Sequence, residues 1–482
     1  FRAPCIRGVI IAIYETPQSD DAQVEVAQCL IDILVSATRL KTLRISLHRN
    51  LSWYLDDPRL ITAVAHLTTL DEIWITARTH VGRKLVAHTK SPLRVVRMNG
   101  NYWEEPWSPK LIDNIMDRLS STLHTLKVDT ILLDINYVYD CRQYHGVRSF
   151  AAHQILDSPR LDVLLHIFPN LDSSLMLGWY DDEVAEDDLD RLRQENLRAQ
   201  EPKSWRSIDK LHCAPLLLYA LGLTCDIRRL ELRVESRQTH LQYAADALRD
   251  NIPQYLVMSL IMDQNVGMIN GFFPPAGSPR LTKLVLFLEY SNAAAEEGHF
   301  PALESHNWNV LMDNALSAVA SFPLTHLRIV VHCRVDLNRS ERPGAMEAKR
   351  MMSTSRKCDM QGTATKILHK MPALNWLGGN TTLKYFFLTS SGVVAYLPDK
   401  PGVRKSRKAW HQSRGWCRLG DGEAREPHEE SGVALEDTVL ESLLAQEDMS
   451  LCRRDQASVV DLDATNAGLL VGELYDILCS IS

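Results

Sequence analysis

The sequence predicts an α/β fold: a leucine-rich-repeat-like solenoid with irregular, degenerate repeats and a curved, mostly parallel sheet. Three observations predict it. A lead leucine followed by period-2 apolar alternation (L-x-x-L-x-L) recurs along the chain, and such alternation marks a strand with one buried face. Stretches between these motifs carry apolar residues at helical spacing. The lead leucines at 40, 67, 93 and 123 stand 27, 26 and 30 residues apart, close to the roughly 20–29-residue period of that repeat class. A doubly wound α/β domain would also alternate strands and helices, but no Gly-rich strand-to-helix turn of the dinucleotide-binding type occurs.

The elements follow in order. "DDAQVEVAQCLIDILVSA" (20–37) places Val24, Val26, Cys29, Leu30, Ile33 and Leu34 at helical spacing behind an acidic start. "LKTLRISLHRN" (40–50) is the first full strand motif. In "DPRLITAVAHL" (57–67), Asp57 is set to cap a helix with Pro58 at its first position. Strands follow at "LTTLDEIWIT" (67–76), "LRVVRMN" (93–99) and "LHTLKVD" (123–129). "SPKLIDNIMDRLSS" (108–121) reads as a helix capped by Ser108, and "SPRLDVLLHIF" (158–168) as one capped by Ser158. Later strands are "IRRLELRVE" (227–235), "LTKLVLFLE" (281–289), "LTHLRIVVH" (324–332) and "LKYFFLT" (383–389), with a helix at "WNVLMDNALSAVASF" (308–322). The wider gaps, 54 residues from Ile227 to Leu281 for example, call for insertions, longer helices or degenerate repeats.

The solenoid is expected over residues 1–395, interrupted by a charged, solvated helical excursion at 179–205 and a flexible loop at 336–362. From 396 the strand pattern stops, so 396–482 reads as a charged C-terminal tail with short helices at 438–446 and 466–480.

Composition bounds the function. With 482 residues, 45% hydrophobic and 23% charged, the chain can bury a large core. A net charge of −7 argues against a dedicated duplex-binding protein. The ten cysteines are scattered, none spaced C-x-x-C, which fits reduced thiols better than a disulfide framework or a zinc site. No apolar run approaches the roughly 18 residues a membrane helix needs, and "GVIIAIY" (8–14) is too short for a signal core. An intracellular protein, cytoplasmic or nuclear and without membrane association, is expected. Phe1 in place of Met reads as a fragment.

Catalytic motifs are lacking: there is no H-E-x-x-H, G-x-S-x-G or G-x-x-x-x-G-K-[ST], and no cofactor is expected. "GTATK" (362–366) lacks the glycine spacing of a phosphate loop. His299 and His306, with Glu297 and Glu304, have no standard metal-ligand spacing. A basic run with aromatics, Arg404, Lys405, Arg407, Lys408, Trp410 and Trp416, offers an alternative nucleic-acid reading for 404–416, although the acidic stretch beside it would compete. An α/β enzyme with an unrecognised site is the other alternative.

What remains is the strand face. If the leucines point into the core, the intervening residues form the second, concave face. Candidate partner-binding residues there are Arg44, His48, Trp74, Arg97, Lys127, Arg233, Phe287, Arg328 and His332, with Trp74 and Phe287 as exposed aromatic anchors.

At this point "TRLKTLRISL", "SPRLTKLVLFLEY", "FPLTHLRIVV" and "TTLKYFFLTSSG" resemble the degenerate repeats of fungal F-box/leucine-rich-repeat-like proteins, as does the closing "SRGWCRLGDG" (413–422) with its acidic tail. The resemblance spans about 25–480. It implies a non-catalytic protein-recognition scaffold, in its sharpest form the substrate receptor of a cullin-type (SCF) ubiquitin ligase. An F-box would dock on the ligase adaptor and the repeats would hold the target. No F-box is visible in this sequence, so the adaptor is an expected partner only if that segment lies upstream of Phe1.

Overall fold

The computed structural model describes residues 6–13, 20–47, 57–76, 79–99, 106–133, 140–179, 186–234, 238–261, 273, 280–291, 308–319, 322–336, 353–373, 383–396, 406–417 and 433–449. The chain is α/β with mostly parallel strands. It divides into two compact units, Phe1–Arg229 and Leu230–Ser482. Strand β9 (Asp226–Val234) carries the division.

The first unit contains β1 (Gly8–Ile13), α1 (Asp20–Ser36), β2 (Thr42–Leu47), α2 (Pro58–His66), β3 (Glu72–Thr76), α3 (Thr79–His88), β4 (Val95–Asn99), α4 (Pro109–Met116) and β5 (Thr125–Ile131). It continues with β6 (Ser149–Ile155), α5 (Leu161–Ile167), β7 (Ser174–Trp179), α6 (Glu186–Gln200), β8 (Ser207–Cys213) and α7 (Pro215–Leu221). Strands β1 to β8 pair in chain order, all parallel. The lead leucines are the reason. The lead position of β3 is Leu70, not the expected Leu67, which closes α2. Leu40, Leu70, Leu93 and Leu123 are wholly buried, and so are Leu43, Ile73, Val96 and Leu126 three residues on. Each buried leucine is worth about 1.5–3 kcal/mol, which pins one face of the strand to the helix layer.

A backbone motif repeats at the starts of β2 to β7. The carbonyl of Arg7 accepts from both Lys41 N (2.7 Å) and Thr42 N (3.0 Å). That of Lys41 accepts from Asp71 and Glu72, that of Asp71 from Arg94 and Val95, and that of Arg94 from His124 and Thr125. His124 and Arg148 continue the series, so the register is set before each strand begins.

Two of the gaps in the leucine pattern contain further, degenerate strands, Tyr255–Ile261 between Ile227 and Leu281 and, after Leu123, β6 to β8. Their lead positions include Val147 and Trp205, both buried, where a leucine pattern finds nothing.

The helix caps at Asp57 and Ser108 form as expected, accepting from Arg59 N (2.8 Å) and Leu111 N (3.2 Å). Ser158 does not cap α5. That helix starts at Leu161, and its N-terminal Leu161 N–H is received instead by Asn196 Oδ1 of α6 (2.9 Å). The amide nitrogen of Asn196 donates to Pro159 O (2.8 Å) and Ala220 O (2.9 Å). Gln200, one turn later, donates to Gly222 O (2.9 Å) and accepts from Thr224 N (2.9 Å). Gly222 closes α7 with φ 52°, a left-handed cap that glycine adopts without strain. The charged stretch 179–205 is therefore no excursion. Leu189, Leu192, Asn196 and Gln200 are buried, and α6 packs against α5 and α7. Its charges, such as Arg191 with Asp188 and Glu195, lie on the opposite side.

The second unit contains α8 (Gln238–Asp250), β10 (Tyr255–Ile261), β11 (Lys283–Ser291), α9 (Trp308–Val319), β12 (His326–Asp336), α10 (Met360–Ala373), β13 (Tyr385–Tyr396), β14 (Ser406–Cys417), β15 (Val433–Ala434) and α11 (Asp437–Gln446). Strands β10 to β13 are parallel; β14 and β15 add on antiparallel. The strand pattern thus continues past 396, and β14 occupies the start of the expected tail. Residues 353–362 of the expected flexible loop are ordered, with Ser355 wholly buried and Asp359 Oδ1 accepting from Gly362 N (2.8 Å) at the start of α10. Residues 466–480 lie outside the described residues.

Asn196 generates a prediction. Asn196→Ala leaves three buried backbone groups unpaired and should cost on the order of 3 kcal/mol in urea unfolding. Arg191→Ala, which removes only exposed helix pairs, should leave the urea midpoint almost unchanged.

Candidate partner-binding surface

In the first unit the period-2 pleat puts the non-leucine residues on a second face. Parallel register aligns them into a row: Ile10, Arg44, Trp74, Arg97, Lys127, Ala151, Met176 and His212. Four predicted residues, Arg44, Trp74, Arg97 and Lys127, are brought together here on consecutive strands.

Trp74 is not an exposed anchor, however; it is 3% exposed. Arg44 Cζ lies 4.6 Å and Arg97 Cζ 5.0 Å from its ring centroid. Neighbouring strands are about 4.8 Å apart, so side chains in register on three strands stack at that spacing. The ring's negative faces receive a guanidinium from each side. Glu72 stands beside them, its Oε1 4.0 Å from Arg44 and 3.9 Å from Arg97. Burial pulls the Arg97 guanidinium below its ordinary value; the Glu72 carboxylate opposes this and Arg44 adds to it. The Glu72 carboxylate thus stands beside two guanidiniums, with Lys127 next to Arg97 in the register.

The second unit treats the same face differently. Residues expected to point outward are buried: Val285, Val330 and Phe387 wholly, Arg328 and Phe287 at 4% and 7% exposure. Helix α11 and Met449 lie over part of this face. Leu440, Leu444 and Met449 form one apolar cluster with Tyr255, Val257, Val285 and Phe387. Arg328 is fixed rather than free, its Nη1 donating to Met449 O (2.6 Å). Phe287 stacks on His332 (centroids 5.9 Å apart), and His332 Nδ1 lies 3.0 Å from Ser391 Oγ. Arg233, on β9, is exposed, and His48 lies outside the described residues. The missed signal was in the strands themselves. "LVLFL" (284–288) is a continuous apolar run and "IVV" (329–331) a shorter one, the mark of strands covered on both sides rather than alternating ones.

The basic stretch 404–416 becomes β14. Trp416 is buried at 1% exposure, stacked on Phe386 (5.6 Å) and donating to Gln361 Oε1 (3.0 Å), so it cannot stack on a base. Arg404 and Lys405 lie outside the described residues, as do His299 and His306. "GTATK" lies within α10. A cavity of about 360 Å³ adjoins α9 and α10, lined by Trp308, Lys357, Asp359, Thr363 and Lys366 among others. Among the described residues no group of three or more His, Cys, Asp and Glu is placed to hold a metal. The described cysteines are free thiols. Burial pushes Cys225 and Cys333 up to about 11, which keeps both protonated. Among the described residues no helix is long and apolar enough to cross a membrane.

No protein-family model matches the chain, and no curated protein matches it.

The α11 contact predicts a pH dependence. Burial holds the His326 imidazole below its usual value, with Lys283 and Lys384 adding to this and Glu447 opposing it. The unfolded chain binds that proton first, so this contribution is present above about pH 6.5 and fades as pH falls below it. Glu447 is held below the usual carboxylate range, chiefly by the hydrogen bond from Lys283, and its contribution fades only in stronger acid. The urea midpoint should drop from about pH 7.5 to about pH 5.5, and His326→Gln should shrink that drop.

Proposed function

We propose that this protein is a non-catalytic protein-recognition scaffold, built as an irregular leucine-rich-repeat-like solenoid. Parallel strands in chain order, short helical crossovers and the recurring carbonyl lead-in support the solenoid reading. The observation that carries the recognition reading is the Arg44–Trp74–Arg97 stack with Lys127 beside it. Stacking on one buried ring holds the two guanidiniums in place, so little side-chain entropy is lost when a partner arrives. The indole N–H of Trp74 is buried and has no acceptor among the described residues. A partner presenting carboxylates on an extended segment matches this chemistry, because carboxylate oxygens are the acceptors that the two held guanidiniums bind best. The substrate-receptor role in a cullin-type ubiquitin ligase is the specific form of this reading. It rests on the repeat resemblance and requires an F-box.

Binding of fluorescent Asp/Glu-rich peptides, followed by anisotropy, tests the reading. Affinity should fall with added salt, and Arg44→Glu with Arg97→Glu should weaken it about tenfold or more. Lys-rich peptides binding equally well would overturn the acidic-partner reading. Failure of the native full-length protein to co-precipitate the ligase adaptor would remove the receptor form and leave the scaffold.

A further inference from the structure

The face that α11 covers in the second unit has the features of a docking groove. Its floor is Val257, Val285 and Phe387, with Tyr255 and Tyr385 along one side. Gly415 on β14 opens it, since a Cβ there would stand 2.8 Å from Leu440 Cδ1. Three polar groups line its end: Lys283 on β11 opposite His326 on β12, and Arg328 two residues further along β12.

The helix itself contributes few buried residues. Of the ten residues of α11, only Leu440 and Leu444 are buried, with Leu443 and the preceding Leu435 packed partly buried beside them, and Val439 is 43% exposed. Beyond the helix the chain turns through Asp448 at φ 56° and buries Met449 completely. Polar fastenings include Lys283 Nζ to Glu447 Oε2 (2.5 Å), Tyr255 Oη to Asp448 O (2.9 Å) and Arg328 Nη1 to Met449 O (2.6 Å), and before the helix Leu435 N to Gly415 O (2.8 Å), next to the β15 pairing on β14. Two features show that this segment is fitted to the groove rather than to helix formation. A ten-residue helix is short of the roughly 12–15 residues needed for marginal stability in water, so α11 depends on docking. Glu447 follows the helix C-terminus, where a negative charge opposes the helix dipole, and its compensation comes from Lys283.

We propose that this groove is a docking site for an amphipathic helix and that α11 is its resident occupant. A partner helix with two leucines four residues apart, followed by an acidic residue and a chain reversal, displaces it. The leucines fill the space over Val285, Phe387 and Gly415. The acidic residue takes Lys283. The reversal presents carbonyls to Tyr255 and Arg328. This surface belongs to the second unit and does not depend on the Arg44–Trp74–Arg97 row.

The probe is a fluorescein-labelled peptide of residues 433–449, tested against the full chain. Wild type should bind weakly, because its own α11 competes. Leu440→Asp with Leu444→Asp should free the groove and strengthen binding about tenfold or more. In that background Lys283→Glu should abolish binding, and a peptide carrying Glu447→Lys should restore it. A folded double variant that does not bind the peptide overturns the proposal. If the double variant fails to fold, native-state hydrogen exchange on wild type decides. Amides of 440–447 should exchange through a local opening, well ahead of those in β11 and β12. Exchange only with global unfolding makes α11 a fixed part of the core and overturns the proposal.

Discussion

The structure depends on one recurring backbone constraint, a carbonyl that precedes a parallel strand and accepts two successive N–H groups from the next, at most of the parallel junctions. It joins Arg7 to Lys41 and Thr42, and recurs through Arg148 in the first unit. In the second unit Gln254, Thr282 and Thr325 do the same. A parallel strand can slip by one residue only by exchanging its faces. Fixing the first hydrogen bonds of each strand prevents that slip. The buried leucines then fall in line from strand to strand, and so do the residues on the other face.

The Arg44–Trp74–Arg97 stack is a consequence of that alignment. No local sequence feature joins the three residues; each is 23 or 30 positions from the next. They meet because parallel pairing in register converts a repeat-length separation into one strand spacing. The resulting plane brings two guanidiniums onto one ring, although the whole chain carries −7. Local charge, not net charge, decides what such a face attracts.

The two units use the same strand pattern for different ends. In the first, β2 and β4 alternate buried and half-buried residues, which leaves a face of polar and cationic side chains. In the second, β11 and β12 are buried on both sides and part of the second face is closed by α11. A sheet face rich in Val and Phe cannot remain in water without cost, so the chain supplies its own cover.

By itself the sequence determined the α/β class, the parallel strands at the leucine motifs, the helices between most of them, and the caps at Asp57 and Ser108. These are local properties: periodicity, and a side chain reaching an N–H two or three residues away. It also placed Arg44, Trp74, Arg97 and Lys127 on one face, because a correct period assigns faces. Only the tertiary structure decided the rest. It put strands at 149–155 and 207–213, where Val147 and Trp205 stand in for leucine. It moved the cap of α5 from Ser158 to Asn196, 35 residues from Leu161. It covered Trp74 with two guanidiniums and laid α11 over Val285 and Phe387. Each of these joins residues far apart in the chain, and burial on the second face of a strand depends on what folds onto it, which periodicity does not encode.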